Sequence, residues 1–261
     1  MADTEHSLEF DNLPLVVVEM RLFTAKPVIT LDLRTAARLE EALAGNGMDA
    51  KAVYNERDFT EQNPPAAAAA LVPPTIQQIV GTDLTRSIHV TIQNDMVKVH
   101  WQKMPVANPP SYPRYNALEQ QAQWALNLVK TMASEISYIN GIANMTYSNF
   151  IAADASTADA AFRILDGRYR DAIPPNSVQL HEINLRWRQP TGLDRALYLA
   201  MAEQVFGNDK SGGFLLRTIT GKRIADDDPI AAMRLCHSDL QSFFVECTSV
   251  EARKKWGQKD A

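Results

Sequence analysis

Two cysteines in 261 residues leave this chain without a disulfide framework. Cys236 and Cys247 fall eleven residues apart on one predicted helix. That is about 16 Å of helical rise, too far for a bridge, so both read as small apolar core residues. No run of about 18 apolar residues occurs, which excludes a membrane-spanning helix. The N-terminus shows no secretory leader pattern, and a cytoplasmic location is the expectation. An excess of positive charge is also missing. The 26 Lys and Arg against 31 Asp and Glu give a net charge of −5, which disfavours indiscriminate nucleic-acid binding. The deficit is uneven: residues 1–140 hold 11 basic and 16 acidic side chains, and residues 141–261 hold 15 of each. A local basic patch therefore belongs to the second half.

Catalytic signatures are lacking too. The glycine-rich stretch Gly207–Gly213 has no Walker spacing and runs into a strand pattern, whereas a phosphate cradle needs a helix N-terminus behind it; it reads as a hairpin turn. His181-Glu182 is followed by Leu185 where a zinc protease needs its second histidine. Cys236 and His237 are adjacent on a helix, so they point about 100° apart and do not form a nucleophile–base pair. Asp226-Asp227-Asp228 reads as acidic complement to the start of the last helix. No catalytic residue, metal ligand or cofactor is assigned, and the balance leans away from an enzyme.

The elements that are present form two successive units of strand, helix, antiparallel strands and helix. Leu15–Leu22 is β-branched and reads as a strand entered through Pro14. Leu31–Leu43 follows as a helix, with Thr30 as its expected N-cap and Gly45 as its stop. Asn63–Pro74, with five consecutive alanines between prolines, reads as an exposed low-complexity insertion. Ser87–Gln93 and Met96–Trp101 alternate strictly around Asn94-Asp95, predicting a two-residue hairpin. That register sets Ile92 against Val97, Val90 against Val99 and Ile88 against Trp101 on one apolar face, with Thr91–Lys98 and His89–His100 on the wet face. Tyr115–Met132 carries a helical stripe. In the second half, Glu135–Ile142 reads as a strand, Thr157–Tyr169 as a short helix, Val178–Arg188 as a strand, and Ala196–Phe206 as either strand or helix. Gly212–Ile219 reads as a strand. The final helix starts with Asp228 as N-cap and Pro229 at its first position, and its stripe runs from Met233 to Cys247.

The expected class is therefore α+β, with residues 1–134 as one α+β half bearing the Pro/Ala-rich insertion near 60–75 and residues 135–261 as the other. The shared pattern suggests internal duplication. Joined side by side, such halves would make one curved, saddle-like sheet with helices on one face, like that of the TATA-binding protein. Three segments carry a family likeness: Pro14–Glu19; Tyr112-Pro113-Arg114-Tyr115 leading to Ile136–Ile142; and Cys236-His237, Phe243-Phe244, Cys247-Thr248, Arg253 and Trp256-Gly257. Together they resemble the bacterial family known as "sporadically distributed protein", across almost the whole chain, although that family usually has a smaller residue than Cys236 before the histidine. The resemblance implies no activity and no agreed catalytic residues. The family's patchy distribution is similar to that of defence-associated genes.

The candidate binding residues lie on predicted sheet surfaces. Arg186 and Arg188 share a strand face in Asn184–Arg188, with Leu185 and Trp187 on the other, and Arg217, Lys222 and Arg223 follow on a later strand. If those strands are neighbours they form a basic patch. His89, Lys98 and His100 mark the wet face of the hairpin, where two imidazoles fall short of the three or four ligands that zinc takes. The expected function is a non-enzymatic binding or adaptor protein engaging another protein or a second copy of itself. The alternative is a nucleic-acid-binding component of a bacterial phage-defence or toxin–antitoxin system. No membrane partner is expected.

Overall fold

The structure, a computed structural model, describes residues 14–54, 75–106, 108–133, 136–152, 164–170, 182–206 and 209–258. The Pro/Ala-rich insertion and His181 lie outside them. Nine strands form one antiparallel sheet: β1 (Leu15–Phe23), β2 (Asp49–Tyr54), β3 (Ile76–Asp83), β4 (Ile88–Ile92), β5 (Met96–Gln102), β6 (Ile142–Ala152), β7 (Glu182–Arg188), β8 (Leu193–Phe206) and β9 (Asp209–Arg223). Their spatial order is β2-β3-β4-β5-β1-β6-β9-β8-β7. Five helices accompany them among the described residues: α1 (Leu33–Gly45), α2 (Tyr115–Met132), α3 (Gly167–Arg170), α4 (Pro229–Cys247) and α5 (Val250–Lys255). The chain is thus an α+β protein built on a large open antiparallel sheet, and no described helix is long and apolar enough to cross a membrane.

Strand alternation sorts side chains onto two faces. One row runs through Gly81, Val90, Val99, Met20, Met145, Thr220 and Arg195, each paired with the next. Helices cover this side. A Cβ on Gly81 would stand 2.7 Å from Leu43 of α1, which explains the glycine: only a bare backbone lets the helix settle this close. On the same side Thr220 donates to the Cys236 carbonyl of α4 at 2.8 Å. Val18, Met20, Leu22, Ile79, Ile88, Ile92, Leu118, Leu126, Met145 and Phe243 are all buried in one continuous core. Each large apolar side chain there contributes roughly 1.5–3 kcal/mol of transfer free energy.

The hairpin register is the one that alternation predicts, from Ile88 against Trp101 to Ile92 against Val97. Asp228 caps α4 as expected, accepting from the backbone N–H groups of Ile230 and Ala231 with Pro229 at the first turn. The cap of α1 differs: Asp32, not Thr30, takes the Thr35 N–H at 2.7 Å. β6 begins at Ile142 rather than at residue 135. Asn140 at φ 62° closes a turn there, and a Cβ on Gly141 would lie 2.2 Å from the Phe23 carbonyl oxygen. Ala196–Phe206 belongs to a strand, and β9 starts at Asp209, so Asp209–Gly213 of the glycine-rich stretch is extended rather than a turn, while 207–208 lie outside the described residues. Of the short helix expected over Thr157–Tyr169, the described part is helical at Ile164 and from Gly167 on, interrupted at Leu165 and Asp166.

Candidate functional site

The face opposite the helices carries the polar half of every strand. One row across it reads Asp49, Thr82, His89, His100, Glu19, Thr146, Ile219, Ala196, Arg186. The next reads Lys51, Val80, Thr91, Lys98, Arg21, Asn144, Gly221, Asp194, Arg188. A shorter row holds Val17, Ser148, Arg217, Tyr198 and Asn184, and Arg223 stands beside Ile142 at the end of β9. Seven of the eight basic residues singled out in the sequence for binding, His89, Lys98, His100, Arg186, Arg188, Arg217 and Arg223, therefore lie on this one face. Lys222 does not share it, because alternation turns it to the helix side beside Ala143 and Leu193.

The residues form two groups. In the first half His89 and His100 stack with ring centroids 4.5 Å apart and planes 10° from parallel. Burial, followed by the charge of His89, Lys98 and Arg21, drives the His100 imidazole down to about 3. Burial and Lys98 lower His89 as well. Both rings are consequently neutral at pH 7, and His89 Nδ1 hydrogen-bonds the Thr82 hydroxyl at 3.2 Å. Next to His100 in the row, Glu19 is ion-paired with Arg21. In the second half Arg188 grips Asp194 in a bidentate pair, at 2.7 and 3.1 Å, which holds the Asp194 carboxyl below its usual range. Arg217 donates to Ser148 at 3.3 Å and lies 5.8 Å from the centroid of the Tyr198 ring. Arg186, Arg223 and Lys98 have no carboxylate within ion-pair distance among the described residues.

Charge on the described strand positions of this face leans basic. Lys51, Lys98, Arg21, Arg186, Arg188, Arg217 and Arg223 share it with Asp49, Glu19, Asp194, Glu182 and Asp209, in a chain whose net charge is −5. The basic patch is not confined to the second half, because strand order brings Arg21 and Lys98 of the first half into the same rows.

A second polar cluster, which no spacing in the sequence announces, lies on the helix side. Tyr147 of β6 and Nδ1 of His237 share a hydrogen bond of 3.0 Å, and Tyr115 stacks on the same imidazole at 3.8 Å with parallel planes. Burial drives His237 down to about 4 and raises the Tyr147 phenol well above its ordinary value. One turn along α2, Glu119 binds Arg234 of α4 at 2.7 Å. Cys236 points elsewhere, with Sγ 3.5 Å from the Ala143 carbonyl oxygen, and burial pushes its thiol up to about 12. A protonated buried thiol and a neutral stacked imidazole tie α2, α4 and β6 together without the geometry of a nucleophile and its base. Two of the segments that carry the family likeness meet here, at Tyr115 and His237. Others are structural: Trp256 packs against Phe244 at 5.8 Å, and Arg253 donates to the Val245 and Thr248 carbonyls that end α4.

A groove of about 440 Å³ opens between α1 and α2, lined by Ala42, Gly45, Asn46, Trp124, Asn127, Leu128 and Thr131. It holds no acid or base, and the Thr131 hydroxyl donates to the Leu128 carbonyl at 2.7 Å. Among the described residues no three His, Cys, Asp or Glu side chains converge on a metal-sized site. No family model, curated protein or solved structure matches the chain.

Proposed function

We propose that this chain is a non-enzymatic binding or adaptor protein that holds a protein partner on the face of its sheet opposite the described helices. The observation that carries the reading is the face itself. It spans nine strands, is free of the described helices, and gathers polar and charged side chains from both halves with no convergent acid, base and nucleophile among them. A tagged pull-down from the native host tests it: one stoichiometric protein partner is the expected result, and recovery of the bait alone sinks the reading. A cytoplasmic setting is part of the same proposal.

A second reading is favoured by the arginines of β7 and β9. In it the chain is a nucleic-acid-binding component of a bacterial defence or toxin–antitoxin system, with Arg186, Arg188, Arg217 and Arg223 on phosphates. Binding to DNA or RNA would then weaken steeply with salt and drop when Arg186 and Arg188 become alanine; binding indifferent to both changes rejects it. Membership of the sporadically distributed family and origin by duplication into a saddle also belong among the proposals. The strand order supports duplication. Outward from the centre it reads β1-β5-β4-β3-β2 on one side and β6-β9-β8-β7 on the other, so each half opens at the middle, closes with its last strand beside its first, and descends to the edge.

A further inference from the structure

We infer that the partner presents an acidic protein segment with apolar side chains between its carboxylates, docked across β7, β8, β9 and β6; this rests on the binding reading above. The second-half part of the face is built like a small interface. Its middle is apolar and partly buried, with Ile219, Ala196 and Tyr198 on adjacent strands. Around that middle stand Arg186 and Arg223, both exposed, Arg223 near enough to Asp194 to lower its carboxyl but not ion-paired with it, and Arg217, which donates to the Ser148 hydroxyl and lies over the Tyr198 ring. An apolar centre inside a charged rim is the anatomy of a protein–protein contact. Nucleic acid would call instead for cations in its path and open aromatic faces for bases, and here Arg217 already sits over Tyr198. A second copy of the chain is disfavoured, because a two-fold interface through this face would set arginines against arginines.

Fluorescence anisotropy with the full chain tests the inference. The probes are a labelled peptide alternating glutamate with leucine, the same peptide with lysine for glutamate, and a labelled oligothymidylate of equal charge. Arg186→Glu with Arg223→Glu is the variant; both side chains are exposed, so the fold tolerates the change, and circular dichroism checks it. The expected result is binding of the glutamate peptide alone, weakened roughly tenfold or more by the variant and by salt. Equal affinity of variant and native chain for the peptide overturns the inference. So does tighter binding of the oligothymidylate, which transfers the face to the nucleic-acid reading. If no probe binds while the host partner is still captured by both native chain and variant, the acidic-segment inference fails and the adaptor reading stands. If capture also yields nothing, both fail.

Discussion

Two arginine–aspartate pairs meet at consecutive positions of β8 and differ in almost everything but chemistry. Asp194 faces the side opposite the described helices and holds Arg188, with side chains 57% and 75% exposed. Arg195, the next residue, faces the helices. It is 7% exposed and held by Asp239 on two nitrogens and by Glu246 on a third, with its guanidinium 5.0 Å from the centre of the Phe243 ring. Burial works against the charge of Arg195, yet the hydrogen bonds and field of Asp239, with Glu246, outweigh it and raise its affinity for its proton. The same ion pair is thus a structural rivet on one side of a strand and a solvated ornament on the other. Burial, rather than the presence of a pair, decides which.

Breaking the buried member gives the largest expected effect. Arg195→Ala leaves Asp239 uncompensated against α4 and should cost about 3–5 kcal/mol, read as a lowered urea midpoint at constant slope. A loss no larger than that of an exposed alanine substitution would dissolve the contrast.

Acid sharpens the comparison next. The unfolded His237 imidazole titrates near 6.5 and the folded one near 4. Between those values the unfolded chain takes up a proton that the folded chain refuses. Stability is therefore full above about pH 6.5, falls as pH drops towards 4, and levels below. The loss attributable to this one residue is about 3 kcal/mol. His100, depressed to about 3, acts in the same direction over a wider window. Thermal midpoints measured from pH 7 to 4.5 should decline in the native chain and decline less in His237→Gln.

A smaller effect is expected at the helix that carries this covered side. Asp228→Ala removes the N-cap of α4 and should cost about 1 kcal/mol, visible in the same urea titration. Smallest of all, Arg188→Ala should leave the midpoint where it was while changing the salt dependence of partner capture. A destabilised Arg188→Ala chain would show that the face opposite the described helices is bearing structure after all.

Where residues close in sequence decide the geometry, the sequence alone was enough. The strict alternation around Asn94-Asp95 fixed every pairing of β4 with β5, and Asp228-Pro229 fixed a helix start. β2 and β3 escaped notice for a physical reason. Asp49-Ala50-Lys51-Ala52-Val53-Tyr54 is an edge strand with little to bury, and Gln77, Gln78, Gly81 and Thr82 dilute the alternation of β3. Ile136–Ile139 looked like strand because it is apolar, but the tight seat of Gly141 against Phe23 turns the chain first. For the candidate site, alternation told which face each residue would take, whereas the meeting of Arg21 with Asn144, or of Tyr147 with His237, depends on how elements ninety residues or more apart are arranged. No local pattern encodes that.

The seam between β1 and β6 carries a consequence for how the chain comes into being. β1 is the first of the described strands to be made, yet its neighbour on one side is β5 and on the other β6, joined at eight positions from Leu15–Asn149 to Phe23–Ile142. During synthesis the backbone of β1 on that side waits, unpaired, until Ile142–Ala152 leaves the ribosome. Contacts so distant along the chain make for slow folding, and a bare central edge is a template for pairing with another nascent copy. Either half produced alone would carry that edge permanently, so truncation at the middle of this protein trades an internal seam for a self-associating one.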